Sequence, residues 1–128
     1  MKKILILMSL FYISIGYSQE PTPQEPKKAM AFRQISPEKK FDNDLKRNAF
    51  TIYTLGGLKP YNHEAIQAFQ KKFHVKYYDF GCLAPANMNY YEKYNALVFT
   101  YLKEKWGNEW EKEIKDNAIG FYNWKETQ

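Results

Sequence analysis

The chain has 128 residues, nineteen basic and fourteen acidic side chains for a formal net charge of +5, a single cysteine, and Phe, Trp and Tyr at 18% of the sequence. One cysteine excludes an internal disulfide framework, so packing alone must hold the fold. Lysines and acids alternate from residue 92 to 116 as on a solvated surface; this excludes the basic stripe that tracks a phosphate backbone, and no nucleic-acid partner is expected.

The opening stretch, MKKILILMSLFYISIGYSQE, carries two lysines, an apolar run from Ile4 to Ile15, then Gly16 and Ser18. That order is the signature of a secretory signal peptide cleaved after Ser18. The apolar run is shorter than the about 20 residues a membrane-spanning helix needs, and no second candidate follows, so no span is expected. No cysteine stands at the cleavage point for a lipid anchor. Removal of Lys2 and Lys3 leaves seventeen basic against fourteen acidic residues, a net +3. Cleavage also exposes Gln19, which can cyclise and lose the terminal charge.

Residues 19 to 35, QEPTPQEPKKAMAFRQI, hold three prolines and no apolar periodicity, the composition of a disordered tether. A single domain is expected over residues 36 to 124. Ser36 as a cap, Pro37 at the first helical position and Glu38 in the first turn predict a helix from Pro37 to Lys46. The β-branched and aromatic run AFTIYTL, residues 49 to 55, predicts a strand closed by Gly56 and Gly57. Asn62 then caps a helix from His63 to Phe73, with Ile66, Phe69 and Phe73 on its buried face. VKYYDF, residues 75 to 80, is a second strand that stops at Gly81. A helix between two strands predicts a parallel pair with a crossover, which brings the end of the first strand, the start of the helix and the end of the second strand to one rim.

Asn87 or Asn89 caps a long helix from Tyr90 to Trp106, striped by Tyr94, Leu97, Val98, Tyr101 and Leu102 and stopped at Gly107. Asn108 and Glu111 have the spacing of a capping box for a last short helix, Glu109 to Asp116, that buries Trp110 and Ile114. AIGFYNW, residues 118 to 124, is expected as a third strand rather than an apolar tail over an open edge, because two strands alone are rarely stable uncovered. The fold class is therefore α+β: a small domain of two or three strands with a parallel βαβ unit, packed against three to four helices.

The runs FQKKFHVKYYDFGC and EKYNALVFTYLKEKWGNEWEKEI resemble small exported proteins of Bacteroidota of uncharacterised function. The similarity spans residues 62 to 121 and rests on aromatic, Gly and Trp positions. It implies localisation outside the cytoplasm and carries over no catalytic or binding residue.

His63-Glu64 begins like the zinc-protease pattern H-E-x-x-H, but Gln67 stands where the second histidine belongs, so no metal site and no cofactor are expected. Cys82 is read first as a small buried apolar group, then as a surface thiol or intermolecular disulfide, and third as a nucleophile. His74 lies eight strand residues away, roughly 26 Å at about 3.3 Å each, so His63 on the shared rim is the better base. Gly56, Gly57 and Asn62 offer backbone N–H groups to an anion, with a structural turn as the plainer alternative. Tyr77, Tyr78, Tyr90 and Tyr91, with Trp106, Trp110 and Trp124, exceed what so small a core can hide, which predicts an exposed patch including Tyr78, Tyr91 and Trp124. The favoured function is an exported, non-catalytic interaction or binding module of the bacterial cell envelope, an accessory subunit with an envelope protein as partner. A small envelope enzyme using Cys82 with His63 is the alternative, and an anion-binding domain at the Gly56-Gly57 edge the third.

Overall fold

Why five-residue strands survive in so small a sheet is answered by what surrounds them. The computed structural model describes residues 34 to 56 and 61 to 128. The expected signal peptide, nearly all of the tether, and Gly57 lie outside the described residues. Helix α1 spans Pro37–Arg47, strand β1 Phe50–Thr54, helix α2 His63–Phe73, strand β2 Val75–Asp79, helix α3 Met88–Trp106, and helix α4 Phe121–Glu126; a 3₁₀ turn, Glu109–Lys112, precedes α4. The fold is α+β, with β1 and β2 parallel and in register from Phe50 opposite Val75 to Thr54 opposite Asp79. No helix among the described residues is long and apolar enough to cross a membrane.

The caps explain the first helices. Ser36 Oγ accepts from the Lys39 N–H at 3.3 Å, and Asn62 Oδ1 accepts from Glu64 and Ala65 at 3.0 and 3.3 Å. Each satisfies donors that a helix start leaves orphaned. Both helices end on a left-handed residue, Asn48 at φ 48° and His74 at φ 56°, which turns the chain directly into the next strand.

Alternation then sorts the sheet. Phe50, Ile52 and Thr54 are buried, as are Val75 of β2 and Phe69 and Phe73 of α2. Tyr94, Val98, Phe99 and Leu102 of α3 complete one side of the core, and Phe99, Trp110, Phe121 and Trp124 interlock with ring centroids 5.5 to 6.2 Å apart. Each such ring buries about 150 to 250 Å², so this cluster supplies much of the cohesion a disulfide would otherwise give.

The third strand is replaced. Among the described residues outside β2, only Ala118 bridges β1, antiparallel to Thr54, and Gly120 at φ 75° then turns the chain into α4. Phe121 and Trp124 are three apart and both face the core, so the apolar run satisfies a helical period over its second half. Two capping expectations also change. Asn108 makes no side-chain cap, and the predicted short helix contracts to the 3₁₀ turn; Trp110 is nevertheless fully buried. Asn87, beside the first residue of α3, spends its amide on Gln34 Oε1 instead of a cap.

With one bridge for a third strand, the outer edge of β1 is closed chiefly by side chains. The N–H of Thr51 donates to Tyr94 Oη at 3.3 Å. Tyr53 donates its N–H to Asn95 Oδ1 at 3.0 Å, and Asn95 Nδ2 donates to the carbonyls of Tyr53 and Ile119 at 2.8 and 3.0 Å. Leu55 exchanges bonds with Asn117, 3.1 Å to its carbonyl and 3.2 Å from its side-chain amide. The Asn95 amide thus stands in for a neighbouring strand, and each buried backbone group left unmet would cost about 1 to 3 kcal/mol.

Asp44 ties α1 into the same arrangement. Its buried carboxylate accepts from Lys40 Nζ at 2.6 Å, Arg47 Nη2 at 2.9 Å and Tyr94 Oη at 2.6 Å. Burial alone would raise its pKa, but the Lys40 and Tyr94 hydrogen bonds and the charges of Lys40 and Arg47 outweigh it and hold the carboxyl below its ordinary value. A depressed folded-state pKa stabilises the fold above the unfolded value of about 3.9, and that contribution is lost as pH falls through the folded value. Asp44→Asn should therefore cost about 1.5 to 3 kcal/mol at neutral pH. In urea melts between pH 2 and 7 the gap to the parent chain should close toward the acid end; a gap constant with pH would contradict the assignment.

Candidate functional site

At the carboxyl ends of the two strands the chain is pinned by glycines. Gly56 donates its N–H to the Gly81 carbonyl at 2.7 Å, and a Cβ on Gly56 would lie 2.2 Å from that oxygen. No other residue fits without moving backbone. Gly81, at φ 65°, donates its N–H to Asp79 Oδ1 at 2.8 Å. The Gly56 N–H and the Asn62-capped N–H groups of α2 are thus engaged within the protein, and Gly56 and Gly81 form a strand-end clip.

The same clip turns Cys82 outward. The thiol is exposed, contrary to the expected burial, because the left-handed Gly81 sends the following loop away from the core. Leu83 beside it is 81% exposed. His63 is exposed at the start of α2 with Nε2 3.0 Å from Gln67 Nε2, its neighbour one helical turn on. Among the described residues no hydrogen bond joins Cys82 to His63, and no group of three or more His, Cys, Asp and Glu is placed to hold a metal ion. His74 caps α2 at the opposite end of β2 from Cys82.

What does assemble is a field of aromatic rings on the sheet face away from α2. Tyr53 and Tyr78 are register partners, with centroids 5.8 Å apart. Phe80 packs on both, at 5.9 Å from Tyr53 and 4.9 Å from Tyr78. Tyr91 of α3 closes the cluster at 4.7 Å from Tyr53 and 4.8 Å from Phe80, and Tyr90 adjoins it at 5.2 Å. Tyr78 is 53% exposed and the other four are half-buried. Burial, followed by the neighbouring Tyr91, Asp44 and Tyr78, pushes the Tyr53 hydroxyl up to about 12, and burial raises Tyr90 as well. Those two hydroxyls stay neutral at ordinary pH, which keeps this part of the face apolar with polar tips.

Tyr78 and Tyr91 were legible from sequence, but Tyr53, Phe80 and Leu83 were not. Alternation along β1 held the missing signal: Tyr53 is odd in a strand whose even positions are buried, so parallel register sets it beside Tyr78. Trp124 does not belong to this face. It is 6% exposed, its indole N–H donates to Thr100 Oγ1 at 3.1 Å, and its ring lies among Phe99, Trp110 and Phe121. Tyr77 points the other way and stacks on Phe69 at 5.4 Å, while Trp106 packs edge-on against Phe73 at 5.7 Å.

Exposure of the thiol has a direct readout. A thiol-reactive dye should label Cys82 stoichiometrically in the folded protein, and Cys82→Ser should leave stability within about 0.5 kcal/mol. Labelling that waits for denaturant would contradict the outward loop.

Comparison with protein-family models, with curated proteins and with solved structures found no match for this chain, so the reading of its function rests on the geometry above.

Proposed function

We propose that this chain is an exported, non-catalytic binding module of the bacterial cell envelope, an accessory subunit that docks on an envelope protein through the Tyr53, Tyr78, Phe80 and Tyr91 face. The single observation that carries the reading is this face itself: a contiguous aromatic cluster on the outside of the sheet, extended by the exposed Leu83. Aromatic side chains provide large contact area at low entropic cost and keep a hydroxyl for a hydrogen bond, which is why they dominate protein contact sites. The signal-like first eighteen residues and the resemblance to exported proteins support the compartment. Three features favour contact over turnover: the strand-end clip engages its own backbone donors, the His63 imidazole sits beside Gln67, and Cys82 stands apart on the loop.

A photo-crosslinking residue in place of Tyr78, introduced in the native host, should trap one discrete envelope protein, whereas the same residue at exposed Glu104 on α3 should not. Tyr78→Ser combined with Phe80→Ser should weaken capture at least roughly 30-fold, the equivalent of about 2 kcal/mol for truncating aromatic anchors. Equal crosslinking at both positions, or capture unchanged in the double variant, would overturn the assignment.

A further inference from the structure

The opposite face of the sheet carries a second feature, independent of the aromatic face because successive strand residues point to opposite sides and Tyr77, not Tyr78, takes part. A cleft of about 250 Å³ opens between the first turns of α2 and the segment 113 to 116. Its walls include Asn62, Ile66, Phe69, Tyr77, Glu113 and Lys115. Lys115 is the unusual member. Its side chain is only 9% exposed, and its ammonium sits over the Tyr61 ring at 4.1 Å and near the Tyr77 ring at 5.4 Å. Its backbone N–H is held by the Tyr77 hydroxyl at 3.2 Å, which fixes where the side chain starts.

This ammonium has an ion-pair partner, but a distant one. Asp79 Oδ2 stands 3.5 Å away, against about 2.7 to 2.9 Å for a charge-assisted hydrogen bond. The two carboxylates on the cleft wall are engaged by other groups: Glu113 takes Lys72 Nζ at 2.7 Å, and Asp116 takes the Tyr61 hydroxyl at 3.1 Å. Ring faces stabilise a cation but accept no hydrogen bond as strong as an anion's. A buried charge gains from a close, well-aligned counter-ion, and the long Asp79 pair leaves room for an incoming oxyanion to make a shorter contact.

We propose that this cleft binds a small carboxylate carried on a flat apolar body, with Lys115 as its counter-ion and Ile66, Phe69 and Tyr77 as the surface for the body. Its volume falls just below the range of drug-sized pockets, about 300 to 1,000 Å³, which limits the ligand to about one ring. The helix start is not the anchor, because Asn62 occupies the Glu64 and Ala65 N–H groups. The anchor is the side chain of Lys115.

Benzoate is the probe. In an NMR titration of the folded protein, benzoate should shift the Lys115 and Tyr77 amides saturably, with an affinity on the order of millimolar, as expected for so few heavy atoms. Benzyl alcohol, of the same shape without the charge, should bind at least tenfold more weakly. Lys115→Met should lose at least tenfold in affinity while Lys115→Arg retains binding. Ile66→Trp, which fills the cleft from α2 and leaves Lys115 in place, should abolish binding, and it keeps the proposal testable if Lys115→Met fails to fold. No saturable shift with benzoate, equal affinity for benzyl alcohol, or unchanged affinity in Ile66→Trp would each overturn it. Because none of these residues lies on the Tyr78 face, the outcome is separate from that of the crosslinking experiment.

Discussion

A strand with a full partner strand on one side and a single bridge on the other must still satisfy its remaining backbone groups, and in this protein an asparagine side chain does much of that work for β1, beside the backbone of Asn117 and Ile119. Asn95 is fully buried and bonds both the N–H and the carbonyl of Tyr53, as a neighbouring strand would, while also holding Ile119. Tyr94 and Asn117 serve the positions before and after it. The far edge, β2, is treated in the same manner, with Gln70 Oε1 accepting the Tyr77 N–H at 2.9 Å. Two short parallel strands are marginal alone, and the side chains from the helices and the C-terminal segment supply what further strands would have given.

This constraint fixes the two faces of the sheet. Because residues 94 and 95 must reach the edge of β1, α3 lies along that edge, and residue 91, one turn earlier, comes to rest beside Tyr53. Tyr94 in turn joins Asp44 and so draws α1 into place. The sheet is left with two unlike faces. On one, Tyr53 and Tyr78 form a largely neutral aromatic surface; on the other, Tyr77 packs against α2 and forms part of the wall of a cleft that holds a nearly buried lysine.

Elements with a local signal were legible in the sequence. The helix from His63 to Phe73 follows from the Asn62 cap and the spacing of Ile66, Phe69 and Phe73, and the parallel pairing follows from placing that helix between two strands. Features that depend on partners distant in the chain were not. Asn95 and Asp44 are polar residues that read as solvent-facing, and their burial makes sense only once β1 and α3 are side by side. AIGFYNW satisfies a strand pattern and, in its second half, a helical one; Gly120 and the core positions of Phe121 and Trp124 decide between them. Cys82 reads as a core residue from its flanks, yet the turn at Gly81 overrides its apolar character. In the aromatic cluster, Tyr78 is exposed, whereas Trp124, expected on the exposed patch, closes the core.

The role of Asn95 can be tested most directly by amide hydrogen exchange under native conditions, comparing the parent chain with Asn95→Leu, which keeps the branched shape and the number of side-chain heavy atoms, is somewhat bulkier, and removes the amide. Loss of the substitute strand should speed exchange at the Tyr53 N–H by roughly tenfold or more beyond any change at Val98 in the middle of α3, since about 1 to 3 kcal/mol is at stake at that one donor. Exchange at Tyr53 that is unchanged, or that rises only in step with Val98, would contradict the account.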